Sequence, residues 1–417
     1  MRSLCLVFAL ILMSTAAIAR DYHSEILSAL KHLETSQALP GGPYEPGQWP
    51  TNVTAILAPS LLGAGIWGKP YPEPTIFTTA TIVSVLRQIQ DQDPSYESIG
   101  PMIDKAVRSY KAYEEPPFYN FYPLRKRNGA WVRGPRSMYL APYMRGLANI
   151  PPDADSTSVA YLSLGTPIPK KVLSAFAQFR DVDRKSHYYN REIGLQNTGA
   201  FMTWLMDEKD PNMPHKTGHP ELGPRIPFGT NDIDCIVNAN VLNLLTSQKQ
   251  TSLPGYQETC DMMKTIIDRR QYGTCGIYYP SDYLLAVRAA ELKELGGRCL
   301  LSQNDKILWH ILSTQHPNGS WSNSPPNRPD RIHSTALALT ALMLLGDRNN
   351  PDHRARVARG VEYLLKNSQR DKSGNLYWKG QVFFSAVAQA RFSVVWRSSS
   401  YTTVLTARAL QLAEDFN

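Results

Sequence analysis

Hydrophobic residues along this chain fall into two kinds of helical run, and the two kinds alternate. Runs of the first kind carry an apolar stripe on one face: residues 23–37, 102–113, 169–179, 257–270, 304–314 and 353–368. In the last, Val357, Val361, Leu364 and Leu365 share a face while Arg354, Arg356, Glu362 and Lys366 lie elsewhere, the period of a helix that covers a core. Runs of the second kind are apolar around most of their circumference, as enclosed helices must be. They open at Thr78-Thr79-Ala80, Asp155-Ser156-Thr157, Asp232-Ile233-Asp234-Cys235, Asp282-Tyr283-Leu284, His333-Ser334-Thr335 and Tyr401-Thr402-Thr403.

One phrase recurs between the two kinds: a Gly, a nearby aromatic, a connection rich in Pro, Asn and Asp, then an apolar helix. The clearest copies run from Gln315 through Gly319 and Trp321 to His333, and from Gln369 through Gly374, Tyr377 and Trp378 to Tyr401. Weaker copies begin at Gly65-Ile66-Trp67, at Gly129-Ala130-Trp131, at Gln196 with Gly199 and Trp204, and at Gly276-Ile277-Tyr278. A single helical pair cannot bury its apolar face alone, so the copies must stack into a solenoid or close into a ring. Six pairs close a ring and leave no unprotected end. The expected fold is all-α, an α6/α6 toroid of six inner and six outer helices.

With 417 residues, 42% hydrophobic and 19% charged, the composition is that of a globular protein. Residues 1–19 carry Arg2, an apolar run from Leu4 to Met13 and small residues ending in Ala17-Ile18-Ala19, the layout of a cleavable secretory signal. The expected organisation is therefore a leader over 1–19 and a single domain over 20–417, secreted or periplasmic. No later run approaches the roughly 18 apolar residues of a membrane helix. Cys235, Cys260, Cys275 and Cys299 survive cleavage, and an oxidising compartment permits two disulfides in any of three pairings. The formal charge of +8 is not gathered into long basic runs, so no nucleic-acid partner is expected. It admits at most peripheral contact with an anionic membrane surface.

The Gln…Gly-x-Trp turn followed by a Thr-Ala helix resembles the QW repeat of the squalene-hopene and oxidosqualene cyclase family. Residues 153–164, DADSTSVAYLSL, are similar to that family's DxDDTA acid motif and its helix. The resemblance runs from about Gly129 to the C-terminus and implies an α/α toroid of the terpenoid cyclase and protein prenyltransferase superfamily. It also implies that Asp155 takes the position of the family's proton donor to a polyprenyl alkene or epoxide, with aromatic side chains stabilising the carbocation. Asp153 takes the first Asp position, Thr157 matches directly, and Ser156 stands where the family has Asp or Cys. The family's His that hydrogen-bonds the acid aligns with Ile236.

In such a ring the inner helices start at one mouth, where their dipoles favour carboxylates. Asp153, Asp155, Asp232 and Asp234 are the expected catalytic residues, because neighbouring carboxyls push one another toward the protonated form. Asp, Ser and Thr there also serve as N-caps, but one cap per helix is enough and both helices carry a DxD. Phe118, Tyr119, Phe121, Tyr122, Trp204, Tyr278 and His333 are the expected substrate-binding residues. Asp232, Asp234, Cys235 and His333 resemble the zinc ligands of the prenyltransferases in type and not in spacing, so neither a metal nor another cofactor is expected. No phosphate loop, Gly-x-Ser-x-Gly elbow or His-Glu-x-x-His is present. Three readings follow: an exported terpenoid-cyclase-like enzyme with an isoprenoid ligand, a carbohydrate-active toroid with a glycan ligand, and a non-catalytic toroid that binds lipid or protein.

Overall fold

The computed structural model describes residues 21–57, 66–127, 129–136, 149–185, 187–206, 224, 226–227, 230–323, 330–386 and 394–416. The expected leader, 1–19, lies outside them, as does Gly65. Helices dominate. The apolar set comprises α2 (Ile76–Gln92), α4 (Ala154–Leu164), α7 (Cys235–Ser247), α9 (Leu284–Glu294), α11 (Arg331–Leu345) and α13 (Ser399–Phe416). The striped set comprises α1 (His23–Ser36), α3 (Ile99–Arg108), α5 (Lys170–Gln178), α8 (Tyr256–Asp268), α10 (Asn304–Thr314) and α12 (Pro351–Lys366). A short α6 (Tyr188–Glu192) falls outside both. Each apolar helix packs on the next, α2 on α4, α4 on α7, α7 on α9, α9 on α11 and α11 on α13, and α13 returns to α2. Striped helices pack outside them, α1 on α13, α3 on α2, α8 on α7 and α10 on α11.

Tryptophan turns fasten outer helices to inner ones. Trp321 is fully buried; its indole N–H donates to the Ile311 carbonyl at the end of α10, and its backbone N–H donates to Thr335 Oγ1 in α11. Trp378 repeats this with Leu364 of α12 and Thr403 of α13. A turn that matches at the N-terminal side is Gln37…Gly47-Gln48-Trp49; the copy expected at Gly65-Ile66-Trp67 begins outside the described residues. Trp49 donates to Leu33 of α1, and the Gln37 amide donates to Gly47 and to Met102, as Gln315 does to Gly319 and Arg356. A longer connection between Gln37 and Gly47 hides this copy from a search for close spacing. Gly129-Ala130-Trp131 forms a hairpin edge with Trp131 exposed, so it departs from the turn expected there.

One element is absent from the helical pattern. A five-stranded antiparallel sheet joins Val382–Ala386, Val394–Arg397 and Asn52–Leu57, with both Ile66–Trp67 and Tyr71–Pro72 pairing to Asn52–Leu57. Its strands are short β-branched and aromatic runs, which period reading assigns to loops between helices. The Ser385 N–H donates to the Tyr278 carbonyl at 2.8 Å, and the Ile76 N–H that opens α2 donates to Phe121, so the sheet side of the molecule is the side where the inner helices begin. Two disulfides, Cys235–Cys275 and Cys260–Cys299, settle the pairing left open by spacing. Among the described residues no helix is long and apolar enough to cross a membrane.

Gly47 and Gly319 hold the turns closed. Both have φ near +85°, at 88° and 85°, and a Cβ at either position would stand 2.3 Å from the carbonyl oxygen of Lys105 or Arg359 on the neighbouring outer helix. Gly374 has φ 84° with nothing within 4 Å. Alanine at Gly374 therefore costs only the left-handed backbone penalty, about 1 kcal/mol. Gly319→Ala adds a collision with backbone and should cost at least about 2 kcal/mol more. Chemical denaturation of the two variants measures the difference.

Candidate active site

The carboxyls meet at the N-terminal mouth of the ring, where α4 and α7 begin, facing the turn that precedes α9. Asp153 caps α4, with Oδ1 accepting from the Ser156 N–H, and its backbone pairs with that of Trp204. Asp155, in the first turn of α4, is 5% exposed and held at both oxygens. Oδ1 accepts from Asn240 Nδ2 at 2.6 Å, and Oδ2 accepts from the Tyr279 hydroxyl. Asp232 accepts at Oδ2 from the Tyr278 hydroxyl at 2.6 Å and from Trp204 Nε1 at 3.2 Å.

Asp234 is occupied differently. It caps α7 through Oδ1, which accepts from Ile236 and Val237 N–H, while Oδ2 accepts from Ile277 and Tyr278 N–H at 2.5 and 2.9 Å. Its four donors are all backbone amides. They fasten the start of α7 to the turn that carries Tyr278 and Tyr279.

Burial sets the acid chemistry. It pushes Asp155 up to about 6 from its ordinary value, opposed by the hydrogen bonds from Tyr279 and Asn240 and by the Arg288 charge, with Asp234 adding to the rise. Asp153 is pushed up to about 8, first by burial and then by the neighbouring Asp155. Asp232 and Asp234 rise to about 6 for want of solvent. Burial also holds Tyr278 and Tyr279 far above the usual phenol range, so both remain hydroxyl donors. His333 is pushed down to about 4 and is neutral.

Aromatic rings line this mouth as one connected set. Tyr278 stacks on Phe384 at 5.6 Å and meets Trp204 edge-on at 6.1 Å. Phe384 stacks on Phe121 and meets Trp396 and Tyr279 edge-on. Phe77 lies 5.3 Å from Tyr279, and Tyr401 links Phe77 to His333. Tyr122 joins through Phe121. Phe118 and Tyr119 do not belong to the set: Tyr119 packs against Tyr110 and Tyr161, and Lys171 sits over Phe118.

Sequence reading missed Asn240 and the role of Tyr279. The position aligned with the family's His, Ile236, is buried without a polar group, and the donor comes one helical turn later on the same helix face, from Asn240. A signal was there: Asn238, Asn240 and Asn243 interrupt an otherwise apolar helix, and buried amides must find partners. The zinc-like set loses Cys235 to its disulfide, and among the described residues no three His, Cys, Asp or Glu converge to hold a metal ion. At the opposite mouth, a cavity of about 400 Å³ is lined by Arg87, Asn240, Asn243, Arg288, Glu291 and Arg408, among others.

In sequence, no protein-family model matches this chain and no curated protein matches it. Among solved structures, the type II terpene cyclase MstE from Scytonema, in complex with its substrate geranylgeranyl dihydroxybenzoate, aligns with a TM-score of 0.56 at 15% identity, covering 94% of this chain and 97% of that one. The cellobiose 2-epimerase of Spirochaeta thermophila DSM 6192 aligns with a TM-score of 0.52 at 12% identity over 97% of this chain and 99% of that one. The chain has the α/α-toroid fold that these proteins share.

Proposed function

We propose that this chain is an exported, protonation-initiated cyclase or isomerase of a polyprenyl substrate, a six-plus-six toroid over 20–417 with Asp155 as its general acid. What carries this reading is the Asp155 carboxyl, buried beside an aromatic wall and held at both oxygens by uncharged donors. The fold likeness to a type II terpene cyclase that binds an isoprenoid substrate supports it. Two disulfides support export, because such bonds persist in oxidising compartments.

In this mechanism the proton leaves the Asp155 carboxyl for an alkene carbon or an epoxide oxygen. With an alkene, the π pair forms the new C–H bond and leaves a tertiary cation, which the next alkene attacks. Closure ends when a proton is lost. Asn240 Nδ2 and the Tyr279 hydroxyl hold the carboxylate left behind, which strengthens an acid that burial alone makes weak. Asp153, protonated near neutral pH, adds no second negative charge beside it. Asp232 tunes the site through Tyr278 and Trp204, and Asp234 positions the turn. Rings such as Phe77, Trp204, Tyr278 and Phe384 each offer a passing cation about 0.5–2 kcal/mol. Contact with a membrane that supplies the apolar substrate fits the basic charge.

The epimerase likeness keeps a carbohydrate reading alive, with Tyr and Trp faces stacking on sugar. Against its glycosidic form stands the burial of all four carboxyls, where that chemistry asks for facing carboxyls in an open groove. A ring that binds lipid without turnover is the third reading.

Asp155→Asn should abolish conversion of linear polyprenyl alcohols and terminal epoxides to cyclic isomers of the same mass, a loss of at least about 1,000-fold, with helical circular dichroism unchanged. Conversion is read by gas chromatography with mass spectrometry, and retained turnover sinks the assignment. Because the acid must be protonated, kcat should fall as pH rises through about 6, roughly tenfold per pH unit above it. Tyr279→Phe removes a donor to the carboxylate, so Asp155 holds its proton more tightly and that falling limb should move to higher pH while the plateau drops.

A further inference from the structure

We propose that the Cys235–Cys275 disulfide is a positioning element for the acid: it pins the turn that delivers Tyr279 to Asp155 onto the start of α7. The inference rests on Asp155 being the acid for its functional meaning, but the geometry can be tested without a substrate.

Cys235 is the first residue of α7 and directly follows Asp234. Cys275 opens the short stretch that runs through Gly276, Ile277 and Tyr278 to Tyr279. The Cys235 N–H also donates to the Cys275 carbonyl at 3.3 Å, beside the covalent bond. Next to it, Asp234 Oδ2 accepts from the Ile277 and Tyr278 N–H groups. Gly276 fits closely here: a Cβ on it would stand 3.0 Å from the Tyr279 carbonyl oxygen and 3.5 Å from Asp234 Oδ2. Two adjacent residues at the start of α7, Asp234 and Cys235, thus hold the Cys275–Tyr279 stretch at Cys275, Ile277 and Tyr278, and two hydroxyls leave that stretch for two carboxyls, Tyr278 for Asp232 and Tyr279 for Asp155.

Without the covalent bond, the Cys275 N–H still donates to the Gln271 carbonyl and the Ser385 N–H to the Tyr278 carbonyl, but the stretch between them is tied to the start of α7 by Asp234 and the Cys235 N–H alone, and hydration of Asp234 competes directly with its amide contacts. With it, Asp234 stays within reach of the amides, and Tyr279 stays on Asp155. Both cysteines are fully buried, so a dissolved dithiol has no path to the sulfurs in the folded protein. The bond is a permanent staple set during folding rather than a switch.

The second disulfide supplies a matched control. The two bridges span 40 and 39 residues, so each removes nearly the same chain entropy from the unfolded state, and their removal should cost similar stability. Cys260–Cys299 joins outer helix α8 to the connection before α10, away from the carboxyls. Asp153 on α4, Asp234 before α7, Arg288 on α9 and Tyr401 on α13 also face Asp155, and all remain in every variant.

The experiment titrates the Asp155 carboxyl by carbon-13 NMR in the full chain, with amide hydrogen exchange read at Ile277 and Tyr278. In Cys235→Ala/Cys275→Ala the Asp155 midpoint should rise toward that of Tyr279→Phe, and exchange at the two amides should accelerate on the order of 100-fold. In Cys260→Ala/Cys299→Ala neither should change. If the alanine pair does not fold, Cys235→Ala/Cys275→Val refills the lost volume and is read the same way. An Asp155 midpoint that stays at the wild-type value, or that moves equally in both disulfide variants, overturns the proposal. Loss of polyprenyl turnover plays no part in this outcome, so failure of the staple and failure of the cyclase reading are separable.

Discussion

A carboxyl group in a dry place is the constraint around which this molecule is arranged. Asp155 sits inside the mouth of a ring of apolar helices, and an unpaired carboxylate there is too costly to persist. Two donors answer the problem from two different elements, Asn240 from the neighbouring inner helix and Tyr279 from the turn before the next one but one. Each must arrive with its dipole aimed correctly. The ring, the caps and the staple all serve to bring three separate pieces of chain to one point.

The ring solves a packing problem in the same stroke. Inner helices as apolar as α11 have no face to show to water, and closing α13 back on α2 leaves no exposed end. The Trp turns make that closure specific, since Trp321 and Trp378 each bridge a carbonyl near the end of one helix and the threonine at the fifth position of the next. At the mouth, the antiparallel sheet contributes Phe384 and Trp396 to the aromatic set. Two segments distant in sequence, around Asn52 and around Val395, therefore meet over the site, and the start and end of the toroid are tied together where the chemistry is proposed.

Helices were the most legible part of the sequence, because their periods are long enough to count. Both the striped face of α12 and the all-round apolarity of α11 read directly from residue order. Asp153 and Asp155 were legible as a motif, and their shared location with Asp232 and Asp234 followed from the ring. The sheet was not legible, since runs as short as Val394–Arg397 have no period to distinguish them from buried loop. Neither was the partner of Asp155: the alignment stopped at Ile236, and the donor stands one turn further along. Phe118 and Tyr119 illustrate the opposite failure. Their aromatic run continues into Phe121 and Tyr122, but the Tyr119 ring packs on Tyr161 along α4, and only Phe121 and Tyr122 join the ring set around Phe384. Composition names the residue types and is silent about direction.

The identity of the donor has a consequence beyond geometry. A histidine in the place of Asn240 would titrate, so the strength of the acid would depend on the charge of its partner as well as on its own. An amide cannot change charge, and Tyr279 is held as a hydroxyl by burial. His333, the one histidine joined to this aromatic set among the described residues, is kept neutral and reaches Asp155 only through intervening rings. The acidity of Asp155 is therefore set by burial, by two uncharged donors, by the neighbouring carboxyls and by Arg288, whose charge is already engaged by Glu291 at 2.6 Å. Such a site trades the stronger pull of a cation for a fixed one. It keeps its proton nearer to neutral pH, and the residues that could alter it are those that move Asn240 or the Tyr279 turn, together with the charges already facing it, Asp234 and Arg288.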